Sequence, residues 1–285
     1  MPAVTQNKGH YYVPQPSPYP VMLSLAIFLV AMGAALEVNA LKAGPWFMLL
    51  GALILVYVLF HWFGSVIGES EGGVYRSWED RSFRMGMVWF ILSEVAFFAG
   101  LFGILFYERN ISVPRLAQID PGFTLYPGFT AAWPSAGPLG KPFSTVAPWG
   151  IPAINTLILL SSGVTVTWAH WGLKTARRGA AIAGLAVTVV LGLVFLGLQA
   201  HEFYEAYNRL GLTLASGVYG ATFFMLTGFH GLHVTIGVIM LSVILMRCIK
   251  GHFKPDQHFA FEAVSWYWHF VDVVWLLLFV FVYWL

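Results

Sequence analysis

The sequence predicts an all-α membrane protein with seven transmembrane helices. Three observations carry this. Of 285 residues, 58% are hydrophobic and only 10% charged, against about 25% charged in a soluble domain. Mean hydropathy is +0.73, so the chain cannot cover itself with polar surface. The apolar residues also gather into long unbroken runs rather than short alternating ones. In hydrocarbon only helices and closed barrels satisfy their own backbones, and runs of this length select helices.

A span needs roughly 20 apolar residues. Seven runs qualify, at about 21–41, 45–67, 83–107, 150–172, 181–205, 215–247 and 260–285. The first two runs lie within about 21–67 and the last five within about 83–285. The first follows a polar, proline-containing segment (HYYVPQPSPYP) with no Arg-rich amphipathic pattern. That is unlike a transit peptide. Val38-Asn39-Ala40 faintly resembles a signal-cleavage site, but so long and weakly basic a leader argues for a retained first helix. The sixth run is long enough to tilt or project beyond the hydrocarbon. Connections are short except for 109–149, which holds seven prolines and no helical periodicity. A loop that long is usually functional or disordered.

Cation placement predicts sidedness. With the N-terminus inside, ten cations fall on inner segments: Lys8, Arg76, Arg81, Arg84, Lys174, Arg177, Arg178, Arg247, Lys250 and Lys254. Five fall on outer ones: Lys42, Arg109, Arg115, Lys141 and Arg209. The bias puts the C-terminus outside. A single cysteine, Cys248, excludes an internal disulfide and any multi-cysteine metal cluster. The net charge of +2 is spread over short loops and gives no nucleic-acid surface. No nucleophilic triad, phosphate-cradling glycine loop or redox CxxC is present, and no inverted repeat of broken helices suggests a secondary transporter.

The informative residues are ionisable groups inside the runs, each costing about 2.5–3.5 kcal/mol at mid-helix on insertion scales. These are Glu94 in the third, His230 and His233 in the sixth, and Glu262, His269 and Asp272 in the seventh. Glu262, Ser265, His269 and Asp272 follow at intervals of 3, 4 and 3, so they share one helical face. Four readings are open: interhelical hydrogen bonds in a packed seam, metal or haem ligation, a proton relay through Glu94 and Asp272, and lipid-headgroup binding at the inner rim. GFHGLHV sets two histidines one turn apart on one helix with a single His269 opposite, a poor ligand set for haem. For the lipid reading the candidates are Arg247, Lys250, His252, Lys254 and His258 between the last two spans, with Trp62 and Glu69 near the inner end of the second. Residues alone stop at a seven-helix membrane subunit or transporter with a buried polar seam.

Five stretches go further: ILSEVAFFAGLF (91–102), NTLILLSSGVTVTWAHW (155–171), LQAHEFYEA (198–206), GVYGATFFMLTGFHGLHVTIG (217–237) and HFAFEAVSWYWHFVDVVW (258–275). In order, from about residue 10 to the end, they closely resemble subunit III of haem-copper cytochrome c oxidases. All seven helices are present, unlike the short forms in quinol oxidases, which favours the cytochrome c branch. The resemblance implies one domain over 1–285, with helices one and two separated from three to seven by a lipid-filled, V-shaped cleft. It implies a non-catalytic accessory subunit of an aa3-type oxidase that stabilises the metal-bearing core, binds phospholipid and supports proton uptake during oxygen reduction.

On this resemblance the chain holds no cofactor; haem a, haem a3, CuA and CuB belong to partner subunits. The implied partners are subunits I and II, a small subunit IV, and cytochrome c as electron donor to the complex. Glu94 matches the family's buried carboxylate, with His230 and His233 as its expected partners. Glu262, His269 and Asp272 match the last-helix stripe, and Arg84 the arginine opening the third helix. Trp62, Glu69, Arg247, Lys250 and His258 match positions that contact cleft lipid. GGVYRSWED (72–80) lacks the paired histidines common in relatives, which withdraws any such role from that turn. The long outer segment and the lack of a presequence favour a bacterial inner membrane over a mitochondrial one. A proton-coupled secondary transporter is the rival reading.

Overall fold

The computed structural model describes residues 16–117, 123 and 126–284. Lys8, counted above among the inner cations, lies outside them. Seven helices are long and apolar enough to cross a membrane, as the hydropathy predicts. The chain forms two compact units that meet in sequence between Phe83 and Arg84.

The first unit is a hairpin of α1 (Tyr19–Val38) and α2 (Gly44–Glu71). Prolines in the first turn open both helices, where a missing N–H costs nothing. Their contact is built from small residues seven apart: Ala26 and Gly33 on α1, and Gly44 and Gly51, continued by Val58, on α2, all buried. A Cβ on Gly33 would lie 2.5 Å from the Met48 nitrogen, and one on Gly51 would lie 2.8 Å from the Ala26 carbonyl. Small residues let membrane helices approach this closely, and the seven-residue period keeps the seam on one face along the pair. At the far end of the hairpin Tyr19 stacks on Trp62 with ring centres 6.0 Å apart.

The second unit holds most of α3 (Ser77–Tyr107), then α5 (Ile151–Lys174), α6 (Arg178–Asn208), α7 (Gly217–Lys250) and α8 (Phe259–Leu278). One expectation needs correction here. The helix does not stop before the long segment: a π turn, Glu108–Ser112, and a short α4, Val113–Ala117, continue it. Pro114 has no N–H for the preceding turn and its ring would press on the carbonyl four residues back. A π turn immediately before it widens the helix and changes that bonding register. Nor is the rest of the segment simply free. Phe143 stacks on Tyr219 at 5.4 Å, Trp133 meets the same ring edge-on at 5.6 Å, and the Ser144 N–H donates to Leu210 O. The described part of the loop therefore folds onto the turn between α6 and α7.

Helices α5 and α6 run antiparallel at close range. A Cβ on Gly184 would lie 2.8 Å from the Ala169 Cβ, and the Thr165 and Thr188 hydroxyls bond across the seam at 2.7 Å. Trp268 of α8 locks the remaining contacts. Its ring would lie 2.9 Å from a Cβ on Gly192 of α6 and 2.8 Å from one on Gly237 of α7, while its indole N–H donates to Ser162 Oγ of α5 at 2.9 Å. Two turns on, Trp275 repeats the device, donating to Thr156 Oγ1 at 2.9 Å with Phe195 edge-on at 4.8 Å. Both tryptophans are wholly buried, so Trp268 and Trp275 of WYWHFVDVVW lie in the core of the second unit.

This packing leaves no space at Gly237. Gly237→Ala is expected to cost about 1–3 kcal/mol, as overpacking of a filled core does. Gly228→Ala, where a Cβ meets open space, should be neutral or stabilising by up to about 1 kcal/mol through helix propensity. Denaturant titration of the chain in detergent micelles reads both, and equal effects would contradict the packing.

Candidate functional site

The ionisable residues picked out along the sequence do not form one network. They sort into separate groups, each closed by a different set of helices.

The first joins α3 to α7. Glu94 Oε2 lies 2.8 Å from His233 Nε2, and His233 Nδ1 lies 2.6 Å from the Phe229 carbonyl. A carbonyl only accepts, so Nδ1 carries a hydrogen. A neutral ring would then present a bare Nε2 to Glu94, and the short contact requires one further proton between them. The pair thus holds that proton either as carboxylic acid and imidazole or as carboxylate and imidazolium. Phe97, Phe98, Tyr267 and Phe270 ring the imidazole, keeping water away from the exchange. His230, expected beside Glu94, turns elsewhere. It is buried between Phe195 and Trp275 with ring centres 5.9 and 5.2 Å away, and neither nitrogen has a hydrogen-bond partner among the described residues. The i,i+3 spacing of His230 and His233 places them nearly 60° apart around the helix, enough to send one to α3 and the other into the α6–α8 core.

The second group surrounds Glu262 at the start of α8. Arg84 of α3 donates to Oε2, while His258 Nε2, His170 Nε2 and Lys174 Nζ lie 3.4, 3.6 and 3.9 Å from Oε1. Glu262 is 8% exposed, and a carboxylate that deeply placed needs such company. The ligand atoms of His170, His258 and Glu262 fall within 4.8 Å of one another, a set the sequence reading did not assemble. With two permanent cations on the same carboxylate, the arrangement suits neutralising Glu262 better than receiving a metal ion. His258, matched to a cleft-lipid position by resemblance, stands in this cluster.

The third group lies between α5 and α8. Asp272 Oδ2 is 3.5 Å from His269 Nδ1, and His269 Nε2 is 3.2 Å from Thr167 Oγ1. The stripe expected along α8 is real, with Glu262, Ser265 and Asp272 all buried. His269 departs from it: its side chain is 44% exposed.

A fourth group was missed. Tyr283 Oη donates to Glu202 Oε1 at 2.6 Å and Gln199 Nε2 to the same oxygen at 3.2 Å. Glu202 is 2% exposed and Asn155 wholly buried. LQAHEFYEA carries the signal, a carboxylate three residues after an amide on one face, but it sits where the apolar run ends and reads as a span terminus.

Of the lipid candidates, Trp62 and Glu69 belong to the first unit, where Glu69 accepts from Tyr75 Oη. Arg247, in the second, is buried with its guanidinium 4.5 Å over the Phe253 ring, and Lys250 is exposed.

The Glu94–His233 contact makes a specific demand. Glu94→Leu and His233→Leu each strand one polar group and should each cost about 1–3 kcal/mol. The double variant should lose less than the sum by about 1 kcal/mol, the scale of membrane hydrogen bonds. Additive losses in detergent unfolding would show that the two groups are uncoupled.

Residues 9–285 match the family model described as cytochrome c oxidase subunit III. A chain named cytochrome c oxidase subunit 3 from Danio rerio is 41% identical over 282 residues, 96% of each chain. One from the alga Prototheca wickerhamii is 40% identical over 281 residues, 97% of this chain and 98% of its own. A third, from Gadus morhua, is 38% identical over 289 residues and 99% of each. With seven helices among the described residues long and apolar enough to span a membrane, this chain belongs to the cytochrome c oxidase subunit III family and is a multi-pass membrane subunit of that oxidoreductase complex.

Proposed function

We propose that the chain is an accessory, non-redox subunit of an aa3-type cytochrome c oxidase that stabilises the metal-bearing core, holds structural lipid and supports proton uptake. The observation carrying the proton role is the Glu94–His233 pair, which keeps one proton in a ring of aromatic side chains. The placing of the histidines supports the non-redox role: His233 has both ring nitrogens engaged by the protein, and the His230 ring is closed between Phe195 and Trp275; haem and copper are assigned to subunits I and II.

Arg84, Lys174, Arg178 and Arg247 gather at one end of the second unit, where Arg178 also donates to the Cys248 carbonyl closing α7. We take that end as the inner, proton-uptake side, with the C-terminus outside. The lipid role rests on Arg247 and Lys250 at that rim, and the cleft between helices one and two and the rest is part of the same proposal. The relatives are fish and an alga and add nothing to the bacterial expectation, so the location proposed is an energy-transducing membrane.

Glu94→Gln in the assembled oxidase is expected to leave the haem and copper spectra unchanged. It should slow proton uptake or shorten activity in sustained turnover more than it lowers the initial rate. A lost haem signal would overturn the non-redox assignment. Replacing Arg247 and Lys250 together with glutamine should lower the phospholipid that survives a delipidating wash; unchanged phosphorus content would count against lipid capture there.

A further inference from the structure

Charge neutralisation accounts for the two permanent cations beside Glu262 but not for its two histidines. His258 Nδ1 lies 3.1 Å from the Lys254 carbonyl. A carbonyl only accepts, so Nδ1 carries the hydrogen and Nε2 of the neutral ring is bare. That bare nitrogen is 3.4 Å from Glu262 Oε1, and His170 Nε2 is 3.6 Å from the same oxygen. Both nitrogens are buried, and neither has a hydrogen-bond partner among the described residues. His258 and Glu262 stand one turn apart at the start of α8. His170 comes from near the end of α5, its ring stacked on Phe261 with centres 5.3 Å apart.

Donor atoms bound to one tetrahedral zinc at about 2.0–2.2 Å stand roughly 3.3–3.6 Å apart, which is the spacing of both imidazoles from Oε1. All three atoms lie within 4.8 Å of one another, so any adjustment on binding is a drawing-together of the two rings. The other nitrogen of His258 is anchored on a backbone carbonyl, as the free nitrogen of a metal-bound histidine generally is. Two imidazoles and one carboxylate suit an ion of the zinc kind better than calcium or magnesium, which take oxygen. The two cations on Glu262 are also held unequally. Arg84 donates to Oε2 and leaves Oε1 to the histidines. Lys174 Nζ is 3.9 Å from Oε1 on a side chain 50% exposed, and so open an ion pair contributes little. With the lysine in place the cluster neutralises Glu262. With it swung into water, Oε1 and the two Nε2 atoms can close on an ion, and the same movement lets the ion in.

We propose that His170, His258 and Glu262 form a binding site for a zinc-class divalent ion, which displaces Lys174 and takes an exchangeable water as its fourth ligand. Arg84 stays on Oε2, and the bound ion ties the end of α5 to the start of α8 in place of the lysine.

The test is equilibrium dialysis of the intact, chelator-washed oxidase against a series of Zn²⁺ concentrations, with bound zinc counted per complex. At equal haem and copper content, the native complex should bind an additional zinc ion compared with a complex carrying His170→Gln and His258→Gln together. His258→Gln alone should weaken that binding by about tenfold or more, the scale on which metal sites lose affinity when a supporting group goes. Lys174→Met removes the competing cation from a half-exposed position and should tighten binding several-fold. Equal zinc binding by the native and doubly substituted complexes would place the ion elsewhere and overturn the proposal. Where the histidine variants do not assemble, the Lys174→Met complex decides, since unchanged or weakened zinc affinity there overturns it equally.

Discussion

Inside a bilayer an ionised side chain has no water to fall back on, and each charge this chain buries must meet its complement within a few ångströms. That constraint ties together features that look unrelated along the sequence. Glu94 is answered by His233, Glu262 by Arg84 with His170, His258 and Lys174, and Glu202 by Tyr283 and Gln199. Each carboxyl has at least one partner far away in sequence: His233 for Glu94, Arg84 for Glu262 and Tyr283 for Glu202. A carboxyl on α3 is thus useful only if α7 is correctly seated, and the polar pairs fix which helices meet and in what register. Apolar packing against lipid specifies this poorly, because a Leu gains little by exchanging acyl chains for another Leu.

Such pairs form only if the backbones come close enough, and here the small residues act. Gly184 against Ala169 draws α5 and α6 together, and Gly192 and Gly237 let the Trp268 ring lie between α6 and α7. Trp268 and Trp275 then reach Ser162 and Thr156 on α5 with their indole hydrogens. Leaving those N–H groups unpaired in a buried site would cost about 1–3 kcal/mol each. Large aromatic rings and glycines are therefore two halves of one arrangement, and the polar pairs sit in the spaces it leaves.

Much of the fold was legible because hydropathy answers to the bilayer's thickness, a single length that every span must match. Boundaries moved where the end was not set by hydropathy, as at Tyr107, where a π turn carries the helix past Pro114. The site was legible by face but not by partner. Spacing shows that Glu262, Ser265 and Asp272 share a side of α8, yet it holds no information on which neighbouring helix stands opposite. His230 shows the limit most clearly: three residues from His233, it points into an aromatic core rather than toward Glu94. Glu202 escaped because it stands about one turn before the end of its run, where a carboxylate reads as a span terminus. The family resemblance supplied residue roles but not contacts, so the place of His258 beside Glu262 was not foreseen.

The way the charges are balanced also bears on what such a subunit can contribute. The Glu94–His233 pair contains one mobile proton and no net charge in either form. Moving that proton across a dyad shifts a dipole but creates no isolated charge in the low-dielectric interior, where an unpaired ion would be costly. A group arranged in this way can respond to a charge change in a neighbouring protein without losing its place in the fold. A redox centre could not be treated so, since each electron taken up must be compensated from outside. Glu262, held by permanent cations, has no such freedom and serves to pin α8 to α3 and α5. The chain thus divides its carboxyls between those that hold the bundle together and those that can answer a partner.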